Sequence, residues 1–262
     1  MAVSYDTIGV DYAALGRPDP RIARRILDTL GTASKVLNVG AGTGSYEPAD
    51  RQVVAIEPSE EMIRQRGPGT APAIQGVAEK LPFADREFDA SMAILTIHHW
   101  ADKALGLSEM RRVTRGRIVI VTFDPAHPGT WLGDYLPQLR ELDAEQMPPM
   151  EFYADHLRDV EASPLAVPRD CTDGFLYAYW ARPEAYLDPR IRRGSSSFWA
   201  LPDTEAGLAS LQRDLESGEW DRRYGHLRDM DAFDVGYRLV LSTAPAGTEK
   251  SFDRSPAHER TA

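Results

Sequence analysis

A short apolar run, Val36–Val39, opens directly into Gly40-Ala41-Gly42-Thr43-Gly44. The run predicts a buried strand. The alternating glycines predict a turn that ordinary side chains would block, because glycine reaches positive φ and lets a ligand approach the backbone with no Cβ in the way. A strand feeding such a turn is how an α/β sheet opens a nucleotide site at the carboxyl ends of its strands. An acid is then needed at the end of the next strand to hold ribose hydroxyls. Val53-Val54-Ala55-Ile56-Glu57 supplies one.

The spacing separates two readings of this feature. A dinucleotide-binding dehydrogenase requires G-x-G-x-x-G, and the position for its last glycine is Ser45. The run G-x-G-x-G, with Glu57 beside Pro58, instead resembles motif I and the following acidic position of the class I S-adenosylmethionine (SAM) methyltransferases. Further segments follow in the order of that family. Gly76–Phe83 resembles the third SAM motif, Glu87–Trp100 the fourth strand and its end, and Glu109–Arg117 the helix and turn before strand five. The resemblance runs over about residues 34 to 124 and lies nearest the ubiquinone-biosynthesis-type methyltransferases. Two positions depart from the family pattern. Asn38 stands where an acid is usual, and Val77 stands where relatives often place an Asp that accepts from the adenine amino group.

The resemblance implies a Rossmann-like, seven-stranded, mostly parallel sheet with helices on both faces and a helical lid. It implies SAM as cofactor and S-adenosylhomocysteine (SAH) as product. Gly40, Ala41, Gly42 and Gly44 would let backbone meet the methionine part, and Glu57 would hold the ribose, with Pro58 and Met62 beside it. Val77, Ala78 and Glu79 would face adenine, and Leu95 would lie by the methionine arm. Tyr12 and Arg17 come from a leading segment that in relatives folds over the cofactor. The expected organisation is a covering helical segment over 1–33, the SAM-binding core over 34–124, lid helices plus the last two strands over 125–243, and a disordered tail over 244–262.

Local patterns add detail. Ile22, Ile26, Leu27 and Leu30 share one helical stripe, with Asp19 as cap, Pro20 in the first turn and Gly31 as terminator. Ile118–Phe123 is a β-branched run that predicts strand five. Strands are also expected at about 160–167 and at Tyr237–Ser242, and an amphipathic helix at Leu208–Leu215. Eleven aromatic residues lie between positions 125 and 202. In a chain with this core they favour an apolar or aromatic small-molecule acceptor.

Composition excludes several classes. A content of 42% hydrophobic and 27% charged residues is that of a globular chain. No run approaches the ~18 apolar residues of a membrane span. The N-terminus lacks a basic segment followed by an apolar core, and the single cysteine, Cys171, cannot form an internal disulfide, so a cytoplasmic setting is expected. A net charge of −10 disfavours a nucleic-acid partner. Arg111, Arg112, Arg115 and Arg117 read as a solvated helix end. Monomer and homodimer both fit.

Methyl transfer is an in-line displacement in which positioning does much of the work, and a base is needed only if the acceptor must lose a proton. His98 and His99, after strand four, and Asp124, after strand five, are the candidate catalytic residues. No metal site is expected. The leading reading is a SAM-dependent enzyme that methylates N or O of a small metabolite, in secondary metabolism on the strength of the aromatic lid. Its rivals are a methyltransferase acting on tRNA or protein, a non-catalytic SAM-binding module, and the dehydrogenase that Ser45 argues against.

Overall fold

The structure is a computed structural model that describes residues 17–243. Tyr12 and the expected tail at 244–262 lie outside the described residues. Helix α1 (Pro20–Leu30) is capped as its sequence requires: the Asp19 side chain accepts from the Arg21 amide, and Gly31 ends the helix with φ at 62°. Its buried residues are Ile22, Ile26 and Leu30, so one stripe faces the sheet.

The strands are β1 (Lys35–Val39), β2 (Gln52–Glu57), β3 (Ala73–Gln75), β4 (Phe88–Ile94) and β5 (Thr114–Phe123), followed by β6 (Val160–Pro164), a short β7 (Val167–Pro168) and β8 (Ala232–Phe233), and finally β9 (Tyr237–Thr243). Seven of them form one sheet in the order β3-β2-β1-β4-β5-β9-β6. Pairing is parallel from β3 to β5, and β9 runs antiparallel to both β5 and β6. β7 and β8 pair separately. The strand order reverses at β1 and β4, which leaves a crevice at their carboxyl ends.

Alternation along the strands builds a core on each face. Val36, Met92, Val119 and Val121 pack with α1 and the lid. Leu37, Ala93, Ile118 and Ile120 pack with Leu107, Met110 and Val113 of α3 (Lys103–Val113) on the other face. Between these elements, α2 (Glu60–Arg64) follows β2.

Two boundaries differ from the sequence reading. Arg115–Arg117 is strand rather than helix end, because β5 begins at Thr114 directly after α3. Gly116 lies so close to Asp89 that a Cβ would fall 2.3 Å from its carbonyl oxygen, and the register shifts beside it. Arg115 pairs with the Asp89 carboxylate. The other difference concerns residues 126–158. The helices α4 (Leu132–Tyr135) and α5 (Gln138–Gln146) belong to the lid, but α6 (Met150–His156) packs on the sheet. Its Tyr153 is fully buried in the α3-side core, with its hydroxyl donating to Thr122 at 2.9 Å.

The rest of the lid comprises a 3-10 turn (Pro183–Leu187), α7 (Pro189–Arg193), α8 (Ser196–Ala200), α9 (Glu205–Ser217) and α10 (Glu219–Tyr224). Aromatic packing holds it together. The Trp131 ring meets Trp220 at 5.3 Å and Tyr186 at 5.6 Å, both edge to face. Its indole N–H donates to the Trp180 carbonyl, and the Trp180 indole donates to that of Val167. Most of the aromatics noted in the sequence are thus lid core. Trp180 is fully buried. Trp180→Ala is expected to lower unfolding free energy by about 3–5 kcal/mol, measured by equilibrium denaturation. A loss under about 1 kcal/mol would mean that the lid does not unfold with the sheet.

Candidate functional site

The glycine turn sits at the end of β1. Gly40 has φ of +69°, and a Cβ there would lie 2.0 Å from the Thr96 hydroxyl oxygen, so no other residue fits. Tyr46 and Leu95 also take positive φ, at 64° and 52°. For non-glycine residues this costs about 1–2 kcal/mol, and such strain gathers at functional sites.

A buried network fixes the turn. Arg66 and Glu47 form an ion pair at 2.6 Å with side chains only 5% and 6% exposed. Arg66 also donates to the carbonyls of Gly42 and Ala71. Glu47 accepts from Asn38 Nδ2 at 3.1 Å and from the Ala71 amide. Asn38 therefore contributes as a donor that a carboxylate could not replace. Glu57, at the end of β2, accepts from the amides of Gly42 at 2.7 Å and Ser59 at 2.9 Å.

These elements bound a cleft of about 270 Å³. One end is lined by Glu57, Pro58, Met62, Val77, Ala78 and Glu79, with Trp100 and Ala101. Glu79 accepts from the Asp102 amide. The other end is lined by Asn38, Gly40, Ala41, Gly42, Tyr46, Leu95, Thr96 and His99, with Asp173 and Phe175 reaching in from the lid. Gly44 shapes the turn with φ of +96° but does not line the cleft.

Asp173 is a residue that no sequence pattern singled out. Its carboxylate is buried, accepts from the Tyr46 hydroxyl and the Gly174 amide, and has no ion-pair partner among the described residues. Burial pushes its pKa up to about 6, against the opposing pull of those hydrogen bonds. The contact with Tyr46 bridges 127 positions of sequence. Asp19, wholly buried, ties the same loop by accepting from the Thr172 amide.

Leu95 and Phe175 also border an inner cavity of about 60 Å³, lined further by His98, Phe123, Asp143, Tyr177, Ser195 and Tyr237. Phe123, Asp143 and Tyr177 in turn border an outer cavity of about 230 Å³ that contains His127 and Arg140. His98 and His99 thus face different spaces, His98 the inner cavity and His99 the cleft. Their rings lie 3.8 Å apart. Burial, then the neighbouring His99 and Lys103, holds His98 well below the usual imidazole value. Burial, then Lys103, lowers His99 to about 4. Burial thus keeps both rings neutral at pH 7.

Asp124 borders none of these three spaces. It accepts from the Ala126 amide and lies 3.4 Å from Arg238, a turn residue within an ion pair. Arg17 is exposed and lines none of them. Asp143, on α5, is a second lid residue without a sequence signal. It is 6% exposed and accepts from the Tyr177 hydroxyl at 2.9 Å. Burial raises it to about 6, with Tyr177 pulling the other way.

Comparison with known proteins accords with this architecture. The family model described as a methyltransferase domain matches residues 37–120. The demethylmenaquinone methyltransferase of Beutenbergia cavernae is 34% identical over 177 residues, covering 61% of this chain and 72% of the relative. That of Streptomyces avermitilis is 29% identical over 199 residues, covering 71% and 78%. The match to that of Paenarthrobacter aurescens takes in only about half of each chain, 49% and 53%. A solved structure from Anabaena variabilis, provisionally assigned as a methyltransferase from an antibiotic biosynthesis pathway, shares 38% identity at a TM-score of 0.78, covering 87% of this chain and 98% of that one. The [4+2]-cyclase SpnF has 17% identity and a TM-score of 0.55, covering 93% and 94%, which is a likeness of fold alone.

The buried pair carries a direct test. Arg66→Met leaves the Glu47 charge buried without its partner and is expected to cost about 3–5 kcal/mol. Adding Glu47→Leu should recover much of that loss. A double variant less stable than the single one in urea denaturation would refute this account.

Proposed function

The chain belongs to the class I SAM-dependent methyltransferase family, and we propose that it methylates N or O of a small molecule held in the inner cavity. The observation that carries this reading is the shared wall of Leu95 and Phe175 between cleft and inner cavity. An acceptor there would lie beside the methionine end of the cleft, against the lid residues Asp143 and Ser195. The demethylmenaquinone methyltransferases act on a small molecule by name. The cyclase likeness is a reminder that this fold does not dictate one reaction.

The cleft suits SAM in its chemistry. A carboxylate oxygen can accept more than one hydrogen bond, so Glu57 suits ribose hydroxyls beside the amides of Gly42 and Ser59. Val77, Ala78 and Met62 offer apolar surface to adenine, with backbone amides in place of the missing Asp side chain. Gly40 and Gly42 admit the methionine part, and the unpaired Asp173 carboxylate suits its α-ammonium. When bound, SAM supplies an electrophilic methyl group on a sulfonium. The chain's own part is to position the acceptor, exclude water with the lid, and line its space with a neutral His98.

Calorimetric titration with SAH tests the cofactor assignments. Loss of hydrogen bonds to a charged group, about 1.5–3 kcal/mol each, predicts at least a tenfold weaker affinity for Glu57→Ala, with its melting temperature as folding control. Unchanged affinity would remove Glu57 from the site.

Asp173→Asn should weaken SAH about tenfold yet leave 5′-methylthioadenosine, which lacks the amino-acid part, unaffected. Equal losses for both ligands would point to a structural role instead. In the wild type, SAH affinity should rise as pH climbs through about 6, since Asp173 there changes from acid to carboxylate. Asp143 titrates in the same range, so the rise must vanish in Asp173→Asn if Asp173 is its source.

A further inference from the structure

We propose that the methyl acceptor is a basic amine whose nitrogen docks on the Asp143 carboxylate in the inner cavity. This rests on the small-molecule reading above. Asp143 stands out because a buried carboxylate is costly unless a partner offsets it. Tyr177 supplies one hydrogen bond, and no cation pairs with Asp143 among the described residues. The inner cavity contains no Lys or Arg, and burial keeps His98 neutral there. Asp143 is therefore its one formal charge.

The remaining lining reinforces that charge. The Phe123 ring packs on Tyr177 at 5.2 Å and on Tyr237 at 5.6 Å, and Phe175 meets Tyr237 at 4.9 Å. Aromatic faces are electron-rich and attract cations. Carboxylate and rings together form a cation-selective site. A carboxylic acid acceptor would meet Asp143 with like charge in this cavity, where neither Lys nor Arg lines the wall; Arg140 lies on the adjoining one. The inner cavity has room for little beyond the amino group and a few carbons. Phe123, Asp143 and Tyr177 also line the adjoining cavity of about 230 Å³, the space to which we assign the rest of the molecule.

The proton accounting is simple. The acceptor arrives as R–NH3+ and gives one proton to the Asp143 carboxylate. The freed lone pair forms the N–CH3 bond as the carbon–sulfur bond breaks, with that bond's electron pair remaining on sulfur. The product leaves as R–NH2+–CH3, and Asp143 returns its proton to solvent.

The test uses the full chain, methyl-labelled SAM, and three matched aryl-alkyl series: amines, alcohols and carboxylic acids. Amines should be methylated at least tenfold faster than alcohols, and acids not at all. Asp143→Asn should raise KM for the amines at least tenfold with SAH affinity unchanged, and Asp143→Glu should restore part of it. Tyr177→Phe, which keeps the charge and the ring but removes one hydrogen bond to Asp143, should raise KM for the amines less than Asp143→Asn does. Preference for alcohols or acids overturns the amine assignment and leaves the small-molecule reading standing. Amine transfer that is equal in wild type and Asp143→Asn overturns the role of Asp143. No transfer to any series by protein that binds SAH overturns the proposal. Transfer to bulk tRNA or protein in its place overturns the small-molecule reading as well.

Discussion

The ion pair between Arg66 and Glu47 is the contact on which the cofactor half of the molecule depends. It is almost wholly excluded from solvent, and each partner is saturated by further hydrogen bonds. Such a pair tolerates no partial loss, because either charge left alone would be stranded in low dielectric. Through it the glycine turn, the Asn38 side chain on β1 and the segment before β3 become one rigid body. The turn can then hold Gly40 and Gly42 in left-handed conformations without a bound ligand to impose them.

A second set of contacts ties that rigid body to the lid. Asp19 caps α1 and accepts from the Thr172 amide, while Asp173 accepts from Tyr46 at the far end of the glycine turn. One short loop thus meets both α1 and the glycine turn. Two buried carboxylates, Asp173 and Asp143, are left facing adjoining spaces without cations among the described residues. Burial raises both pKa values. The protein retains charges that packing alone would not favour, at the two places where a ligand would supply the opposite charge.

How legible this was in the sequence depended on distance along the chain. The strand–glycine–strand–acid pattern of 36–57 and the cap at Asp19 are local, so residue type and spacing were enough to read them. The histidine pair was visible as a candidate, but which space each ring would face was not, since a 3-10 turn at Ile97–His99 rotates neighbours to different sides. Asp124 illustrates the opposite case. Its position at a strand end was right for a site, yet Arg238 from β9 claims it. The extent of β5 was missed because Gly116 makes sense only beside the Asp89 backbone.

By itself, the sequence determined the class of the fold, the order of its first five strands, and the cofactor turn with its acid. The turn and its acid follow from short-range sterics and the chemistry of glycine, which act within a few residues, and the class of the fold from the resemblance of several such segments, in order, to one family. The tertiary structure alone decided the contents of the acceptor side. Asp143 meets Tyr177 across 34 positions and Asp173 meets Tyr46 across 127. Helices of the lid carry no repeat that would announce such pairings. A charge buried by packing acquires its function only from what surrounds it in three dimensions, and that environment is assembled from segments distant in the chain.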